Sequence, residues 1–269
     1  MATIVTGAGR GIGRSIAVVL GEAGSRVACA ARTLDQIEET AQVIRKNRGE
    51  AFAMRTDVTV SEDVRRLVEA TLDRFGRIDF LINNAGVNQS IGALWEVDPE
   101  IWWGDQTVNL KGPLLTTQAV LPHMLERDFG VIVNLLGGGA PSPLPGASGY
   151  ACSKTALARM TDNLAMDLKI TGSNVLVYGF NPGLVKTRLS VGHAKHPLAE
   201  TWLPSLKENL NAGKHHAPEI PAKAILELLL RQPVCMAGRM FSVGMVLDEI
   251  EDQSEENLEK DLYALRIKP

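Results

Sequence analysis

The sequence predicts an α/β fold: a doubly wound parallel sheet in a single domain, with helices on both faces. Strand-length runs that are apolar throughout alternate with amphipathic helical stretches, which is typical of parallel sheets buried on both faces. A glycine-rich turn joins the first strand directly to the first helix. The 269 residues, 45% of them hydrophobic, suit one large domain or two small ones, and no linker or internal repeat divides them.

The predicted elements follow one another regularly along the chain. The strands are ATIV, RVACAA, AFAM, IDFLIN, GVIVNLL, NVLVYGF and MFSV. Helices are predicted over residues 12–22, 34–47, 62–74, 112–127 and 151–170. A sheet of this kind binds ligands at the carboxyl ends of its strands, near the point where the strand order reverses.

Two regions interrupt the alternation. Residues 188–218 contain no predicted strand and are rich in Lys, His and Pro. Residues 245–269 form an acidic C-terminal extension, with eight carboxylates in the fifteen positions 247–261. An acidic run of this length is expected to form a solvated surface.

Composition excludes several classes of function. A net charge of −3 and a pI near 6.0 give no support to a nucleic-acid partner. Three cysteines without CxxC spacing argue against a disulfide scaffold or a zinc site and fit a reducing compartment. No signal peptide is visible and the apolar runs are too short to span a bilayer. We therefore expect a soluble, cytoplasmic protein with no membrane partner.

The turn after the first strand has the features of a phosphate-binding loop. It reads Thr6-Gly7-Ala8-Gly9-Arg10-Gly11-Ile12-Gly13. Its glycines permit a tight turn and a close approach of the backbone to a pyrophosphate. The following helix offers unpaired N–H groups and the positive end of its dipole. The spacing G-x-x-x-G-x-G differs from the dinucleotide fingerprint G-x-G-x-x-G and indicates a particular family.

Six motifs occur in a fixed order: TGAGRGIG, Asp57-Val58, the sequence NNAG at 83–86, Asn109, Tyr150-x-x-x-Lys154 and the sequence NPG at 181–183 followed by Thr187. Together they resemble the short-chain dehydrogenase/reductase family in its compact form. The resemblance covers residues 2–188, and residues 218–244 more loosely. It implies a Rossmann-type domain, NAD(P) binding, hydride transfer between the cofactor and a small carbonyl or alcohol substrate, and assembly into dimers or tetramers.

The resemblance also implies roles for individual residues. Tyr150 is the expected acid/base, Lys154 its partner, and Asn109 the support for a proton-relay water. The expected cofactor-binding residues are Gly7, Arg10, Gly11, Ile12, Gly13, Arg32, Asp57, Val58, Asn83, Ala85, Gly86, Tyr150, Lys154, Pro182, Gly183 and Thr187. Residues 188–218 are the expected substrate lid.

The spacing of Tyr150 and Lys154 supports acid–base catalysis independently of the resemblance. Residues i and i+4 of a helix share a face. A tyrosine with its ordinary pKa of about 10 is a poor base at neutral pH, and a nearby ammonium is expected to lower that pKa. General acid–base catalysis of this kind contributes about 10²–10⁴-fold in rate.

The end of the second strand indicates the cofactor. NAD-binding members of the family usually carry an acidic residue there, whereas this chain has Ala30-Ala31-Arg32-Thr33 and no acid before Asp35. A guanidinium binds a 2′-phosphate in a forked geometry that a carboxylate repels. Arg32, helped by Arg10, therefore favours NADP(H), with NAD(H) possible.

The family's usual active-site serine is missing. Counting back from Tyr150, its position is Gly137, or Leu136 if the loop is shifted by one residue. Loss of one such donor typically costs 10²–10³ in rate. Three explanations stay open: Ser142 or the backbone N–H groups of residues 137–139 replace the donor; the enzyme binds cofactor but turns over slowly; or the protein has a regulatory or scaffold role. Ser148 is expected to cap the helix that carries Tyr150.

The substrate is not identified by the sequence. Residues 188–216 include His193, His196, Trp202, His215 and His216. No carboxylate cluster with ligand spacing accompanies these histidines, so no metal site is predicted.

Overall fold

A computed structural model describes residues 1–245, 247–252 and 260–265 of the chain. Within them, seven parallel strands form one sheet in the order β3-β2-β1-β4-β5-β6-β7. The strands are β1 (Ala2–Thr6), β2 (Arg26–Ala31), β3 (Ala51–Arg55), β4 (Phe80–Asn83), β5 (Val131–Leu135), β6 (Leu176–Asn181) and β7 (Met240–Ser242). The predicted fold class is confirmed, and the strand order reverses between β1 and β4.

The helices connect the strands on both faces of the sheet. They are α1 (Gly11–Glu22), α2 (Leu34–Lys46), α3 (Ser61–Phe75), α4 (Pro99–Gln106), α5 (Gly112–Glu126), α6 (Ser148–Ile170), α7 (Arg188–Ala194), α8 (Ala199–Trp202), α9 (Pro204–Asn211), α10 (Glu219–Arg231) and α11 (Leu247–Asp252). A π-helical turn, Thr107–Lys111, joins α4 to α5. The predicted helices lie within a few residues of α1, α2, α3, α5 and α6.

Two hydrophobic layers cover the two faces of the sheet. On one face, Val5 and Cys29 pack with Ile16 of α1 and Ile225 of α10. On the other face, Ile4 and Ala28 pack with residues of α3, α5 and α6, such as Leu67, Val120 and Leu168. Successive strand residues point to opposite faces, so burial on both faces explains why the strand segments are apolar throughout.

A buried polar chain ties α5 and α6 to the centre of the sheet. Thr116 of α5 donates to Asn83 Oδ1 at 2.6 Å, and Asn83 Nδ2 donates to Asn134 Oδ1 at 2.9 Å. Asn134 Nδ2 donates in turn to Thr161 of α6 at 2.9 Å. Asn83 therefore fixes β4 against β5 and the helices, which is a supporting position and not a contact with the cleft.

Part of the acidic extension packs against the domain. Leu247 and Ile250 of α11 are 4% exposed and belong to the first hydrophobic layer. Further on, the carbonyl of Tyr263 accepts from Met240 N at 2.8 Å, which attaches the chain to β7. Asp248 is exposed beside Arg231, as a solvated acidic surface requires. Residues 253–259, with three of the eight carboxylates, lie outside the described residues.

Candidate active site

A cleft of about 260 Å³ opens at the carboxyl ends of the strands, on either side of the β1–β4 switch point. Most of the predicted site residues line it: Gly7, Arg10, Gly11, Ile12, Gly13, Arg32, Asp57, Val58, Ala85, Gly86, Leu136, Tyr150, Lys154, Pro182 and Thr187. Asn83, Asn109, Gly137, Ser142 and Gly183 do not belong to the lining. The structure thus brings the motifs of a 180-residue stretch to one place.

The glycine loop fits a phosphate group. Gly7 and Gly11 have φ of +68° and +55°, a region that favours glycine. A Cβ on Gly13 would lie 2.3 Å from the carbonyl oxygen of Gly7, so only glycine allows α1 to begin this close to the strand. Within the described part of the chain, no side chain caps α1 and its first turn has no acidic residue. Its N–H groups and dipole are therefore available to an anion.

Two arginines line the cleft and a third is hydrogen-bonded to the end of β2. Arg10 and Arg32 are exposed side chains that line the cleft. Arg55, the last residue of β3, is paired in register with Ala31 and donates from Nε to the carbonyl of Arg32 at 3.3 Å. Sequence reasoning missed Arg55, although strand register in a parallel sheet brings the ends of β2 and β3 together. This end of the cleft is suited to a group with several negative charges.

One carboxylate oxygen of Asp57 accepts hydrogen bonds from its own loop. Its Oδ1 accepts hydrogen bonds from Thr59 N at 3.0 Å and Thr59 Oγ1 at 2.7 Å. Its backbone N–H donates to Asp63 Oδ2 at 2.9 Å. These contacts hold Asp57 and Val58 at the rim of the cleft, beside the arginine end.

Helix α6 carries Tyr150 and Lys154 into the opposite end of the cleft. Lys154 is 4% exposed and its Nζ donates to the carbonyl of Leu135 at 2.7 Å. The same Nζ lies 5.7 Å from the centre of the Tyr150 ring. The helix face and the end of β5 therefore fix the ammonium beside the phenol.

The electrostatics of this pair differ from the expected pattern. Burial raises the pKa of Tyr150 from 10.0 to about 12, and the Asp105 carboxylate adds to the rise. Burial lowers the pKa of Lys154 from 10.5 to about 8. The expected lowering of the tyrosine pKa by the lysine is therefore not found, because the loss of hydration on burial dominates the pKa of each group. At neutral pH the site holds a neutral phenol, which can donate a proton, next to an ammonium.

Asn109 lies in the π-helical turn and is fully buried. Its Oδ1 accepts from Val87 N and its Nδ2 donates to Val87 O, both at 2.8 Å, and Nδ2 also donates to Ser153 Oγ at 3.0 Å. A Cβ on Gly86 would come within 3.3 Å of Asn109 Oδ1 and 3.6 Å of Lys154 Nζ. The side chain of Asn109 thus positions the segment after β4 close to Lys154.

Position 137 faces the hydroxyl of Tyr150. A Cβ built on Gly137 would lie 2.1 Å from the Tyr150 hydroxyl oxygen, so the phenol fills the space that a side chain at 137 would need. Leu136 is 3% exposed and packs with Leu157 and Ala158. Of the two positions considered for the missing serine, residue 137 is the one next to the tyrosine.

The two serines closest in sequence to position 137 do not replace the missing serine side chain in this structure. Ser142 is exposed on the loop after β5. Ser148 is the first residue of α6 but makes no cap hydrogen bond; its Oγ accepts from Trp102 Nε1 at 3.2 Å. The expectation that Ser148 caps α6 was wrong, because Trp102 of α4 packs against this end of the helix.

The segment after β6 forms one side of the cleft. Thr187 lies beside the glycine loop, its Cγ2 3.2 Å from a Cβ built on Gly11. It also caps α7 in a capping box with Ser190, so α7 begins at the cleft. Gly183 has φ of +67° and turns the chain next to His216. In the described ranges, no group of three His, Cys, Asp or Glu residues could hold a metal ion.

The geometry defines the class of protein: a dinucleotide-binding α/β domain with a tyrosine–lysine pair at the far end of the cleft. Sequence comparison gives the family, because the short chain dehydrogenase family model matches residues 1–197. This chain belongs to the short-chain dehydrogenase/reductase family, and it is therefore an oxidoreductase of the NAD(P)-dependent kind.

Individual relatives agree with this assignment. A short chain dehydrogenase of Pseudocercospora fijiensis is 31% identical, with 98% of this chain and 88% of the relative aligned. The short chain dehydrogenase citE of Monascus ruber is 33% identical over 99% of this chain and 88% of its own length. A variant of actinorhodin polyketide ketoreductase, solved with NADPH, superposes with a TM-score of 0.82 at 30% identity, over 90% of this chain and 95% of that one.

Nothing in the described ranges of the chain indicates a membrane span: their helices are too short or too polar to cross a bilayer.

Proposed function

We propose that this chain is an NADP-preferring oxidoreductase that transfers hydride between the nicotinamide and a carbonyl or alcohol carbon, with Tyr150 as the acid/base and Lys154 as its partner. The observation that carries the proposal is the shared cleft: a glycine loop and arginines lie at one end, and the half-buried Tyr150 lies beside the buried Lys154 at the other. NAD(H) is the weaker cofactor under this proposal.

The protein's own groups perform the proton chemistry. When bound, the cofactor supplies or accepts the hydride. In the reductive direction, Tyr150 donates its phenolic proton to the carbonyl oxygen of the substrate. Its raised pKa keeps that proton in place at neutral pH until the oxygen becomes more basic. The Lys154 ammonium then stabilises the phenolate that remains, and Asn109 supports the water that would return a proton.

Arg10 and Arg32 provide the basis for the cofactor preference. Both are exposed residues of the cleft lining, Arg32 directly after β2 and Arg10 directly before α1, and Asp35 is not part of the lining. The test is the ratio of the dissociation constants of NADPH and NADH. We expect NADPH to bind at least tenfold more tightly, on the scale of a charge-assisted hydrogen-bond pair. Equal or tighter binding of NADH would refute the preference.

Charge reversal at Arg32 sharpens this test. Arg32→Asp should weaken NADPH much more than NADH. Arg48→Asp is the matched control, since Arg48 is an exposed arginine beyond the other end of α2, with φ of 66° that aspartate also tolerates. The control should leave both dissociation constants unchanged.

One observation favours a second candidate, a cofactor-binding protein of low or no activity with a regulatory or scaffold role. Gly137 supplies no hydroxyl beside Tyr150. A screen of NADPH oxidation over aldehydes, ketones and keto-sugars separates the candidates. Turnover supports the enzyme; NADPH binding without turnover supports the regulator; no NADPH binding leaves the scaffold.

We also propose a homo-oligomer, either a dimer or a tetramer, located in the cytoplasm. Helices α5 and α6 expose Leu114, Leu125, Met166 and Ile170, and Ile170 is 79% exposed. Apolar helix faces of this kind are commonly buried between subunits. Sedimentation that gives a single 29.1 kDa species at micromolar concentration would contradict the oligomer.

A further inference from the structure

The proposed chemistry does not use one buried polar side chain that follows directly after a residue of the cleft. Asn88 follows Val87, which lines the cleft, and is itself 8% exposed. Its Oδ1 is buried and has no hydrogen-bond partner within the part of the chain that the structure describes. Buried acceptors are nearly always satisfied, so such an oxygen indicates a place for a donor from a ligand or a water.

His193 of α7 lies close to Asn88. It lies one helical turn after Leu189 of α7, which lines the cleft, and residues i and i+4 share a helix face. Its imidazole lies close enough to the backbone carbonyl of Asn88 for that carbonyl to favour the protonated ring. Burial lowers the pKa of His193, although that carbonyl and Asp105 act in the other direction. A neutral imidazole that donates through one nitrogen offers its other nitrogen as an acceptor.

Asp105 holds the segment that follows Asn88 against the start of α6. Its carboxylate accepts from the backbone N–H groups of Gln89 at 2.9 Å and Ser90 at 3.2 Å. A Cβ on Gly149 would lie 3.0 Å from Asp105 Oδ2. Gly149 immediately precedes Tyr150, so the segment that carries Asn88 is fixed next to the catalytic tyrosine.

We propose that Asn88 and His193 are specificity-determining residues, forming a subsite that accepts a hydrogen bond from a hydroxyl group of the substrate near its reacting carbonyl. The substrate class is accordingly a hydroxyketone or the corresponding diol. The inference rests on the proposed function, because it takes Tyr150 as the group that addresses the carbonyl.

The kinetic test compares acetophenone with each ring isomer of hydroxyacetophenone, at saturating NADPH. At least one isomer should have a KM about three- to tenfold below that of acetophenone, the effect of one or two neutral hydrogen bonds. Asn88→Leu and His193→Phe should bring that ratio close to one, whereas Asn88→Asp, which keeps an acceptor, should retain a preference. His123→Phe, in the last turn of α5 at the opposite edge of the sheet, is the control and should keep the wild-type ratio.

A binding measurement separates this inference from the proposed function. With NADP⁺ saturating and histidines isotopically labelled, the preferred isomer should shift the His193 imidazole resonances more than acetophenone does. A shift without any turnover would support the subsite and refute the enzyme. Turnover of ketones with no preference and no His193 shift would refute the subsite and leave the enzyme standing.

Discussion

The end of the cleft at β1–β3 and the end at α6 and α7 are built in different ways. The first end consists of backbone and exposed arginines: glycines with positive φ, an uncapped helix start, and Arg10 and Arg32. The second end consists of two side chains whose pKa values are shifted, the half-buried Tyr150 and the buried Lys154. Changes at the first end should therefore act on cofactor affinity, and changes at the second on turnover.

The largest expected effect is at Tyr150. Tyr150→Phe removes the proton donor and should lower kcat by about 10²–10⁴-fold, with little change in the dissociation constant of NADPH. Tyr178→Phe is the matched control, because Tyr178 is fully buried in the core and its hydroxyl donates to Pro233 O at 3.3 Å. If NADPH affinity fell as much as kcat in Tyr150→Phe, the two ends of the cleft would not have the separate roles described here.

The next effect concerns Gly137. Gly137→Ser and Gly137→Ala both place a Cβ where the Tyr150 hydroxyl lies, so both should displace the phenol, and only serine adds a donor. If no other group has replaced the missing donor, the serine variant should turn over about 10²-fold faster than the alanine variant. NADPH affinity should be the same in both.

Ser142→Ala tests the alternative donor. If Ser142 swings into the site, its loss should slow the wild type by about 10²-fold and the two Gly137 variants should have similar rates. If neither experiment changes the rate, the donor is a backbone N–H group or a water. Leu136→Ser should mainly lower stability, because Leu136 is packed in the core.

Loss of the Lys154 proton should lower kcat/KM for NADPH by about tenfold for each pH unit above the pKa of the lysine. Burial places its pKa at about 8, so the ammonium is present below that pH and is lost above it. The value of kcat/KM for NADPH, which reports groups of the free enzyme, should decline above about pH 8. Lys154→Arg keeps its charge at every accessible pH and should abolish the decline. A decline that survives in this variant would assign the titration to another group.

The smallest effect is on stability. Thr161→Val removes the acceptor of Asn134 Nδ2 in the buried chain between β5 and α6, which should cost about 1–3 kcal/mol of unfolding free energy. Thr171→Val, at the exposed end of α6, removes a similar helix hydrogen bond and should cost much less. Urea denaturation measures both, and NADPH affinity should be unaffected.

The sequence predicted what depends on local pattern. Apolar runs indicated all seven strands, and the glycine spacing indicated the tight turn between β1 and α1. Both signals arise from residues that are neighbours in the chain.

Features that depend on distant segments were not predicted. The raised pKa of Tyr150 depends on burial and on Asp105, which lies on another helix. The hydrogen bond between Trp102 and Ser148 likewise depends on how α4 meets α6. Such contacts have no signature in a single sequence.

The most direct test is transfer of deuterium from NADPH that carries deuterium at both C4 positions of the nicotinamide ring. The enzyme would be incubated with the ketones that a screen selects, and the alcohol products analysed by mass spectrometry. We expect an alcohol with one deuterium on the former carbonyl carbon, formed by the wild type and nearly absent with Tyr150→Phe. Firm NADPH binding with no labelled alcohol from any ketone, or equal label from Tyr150→Phe, would contradict this expectation.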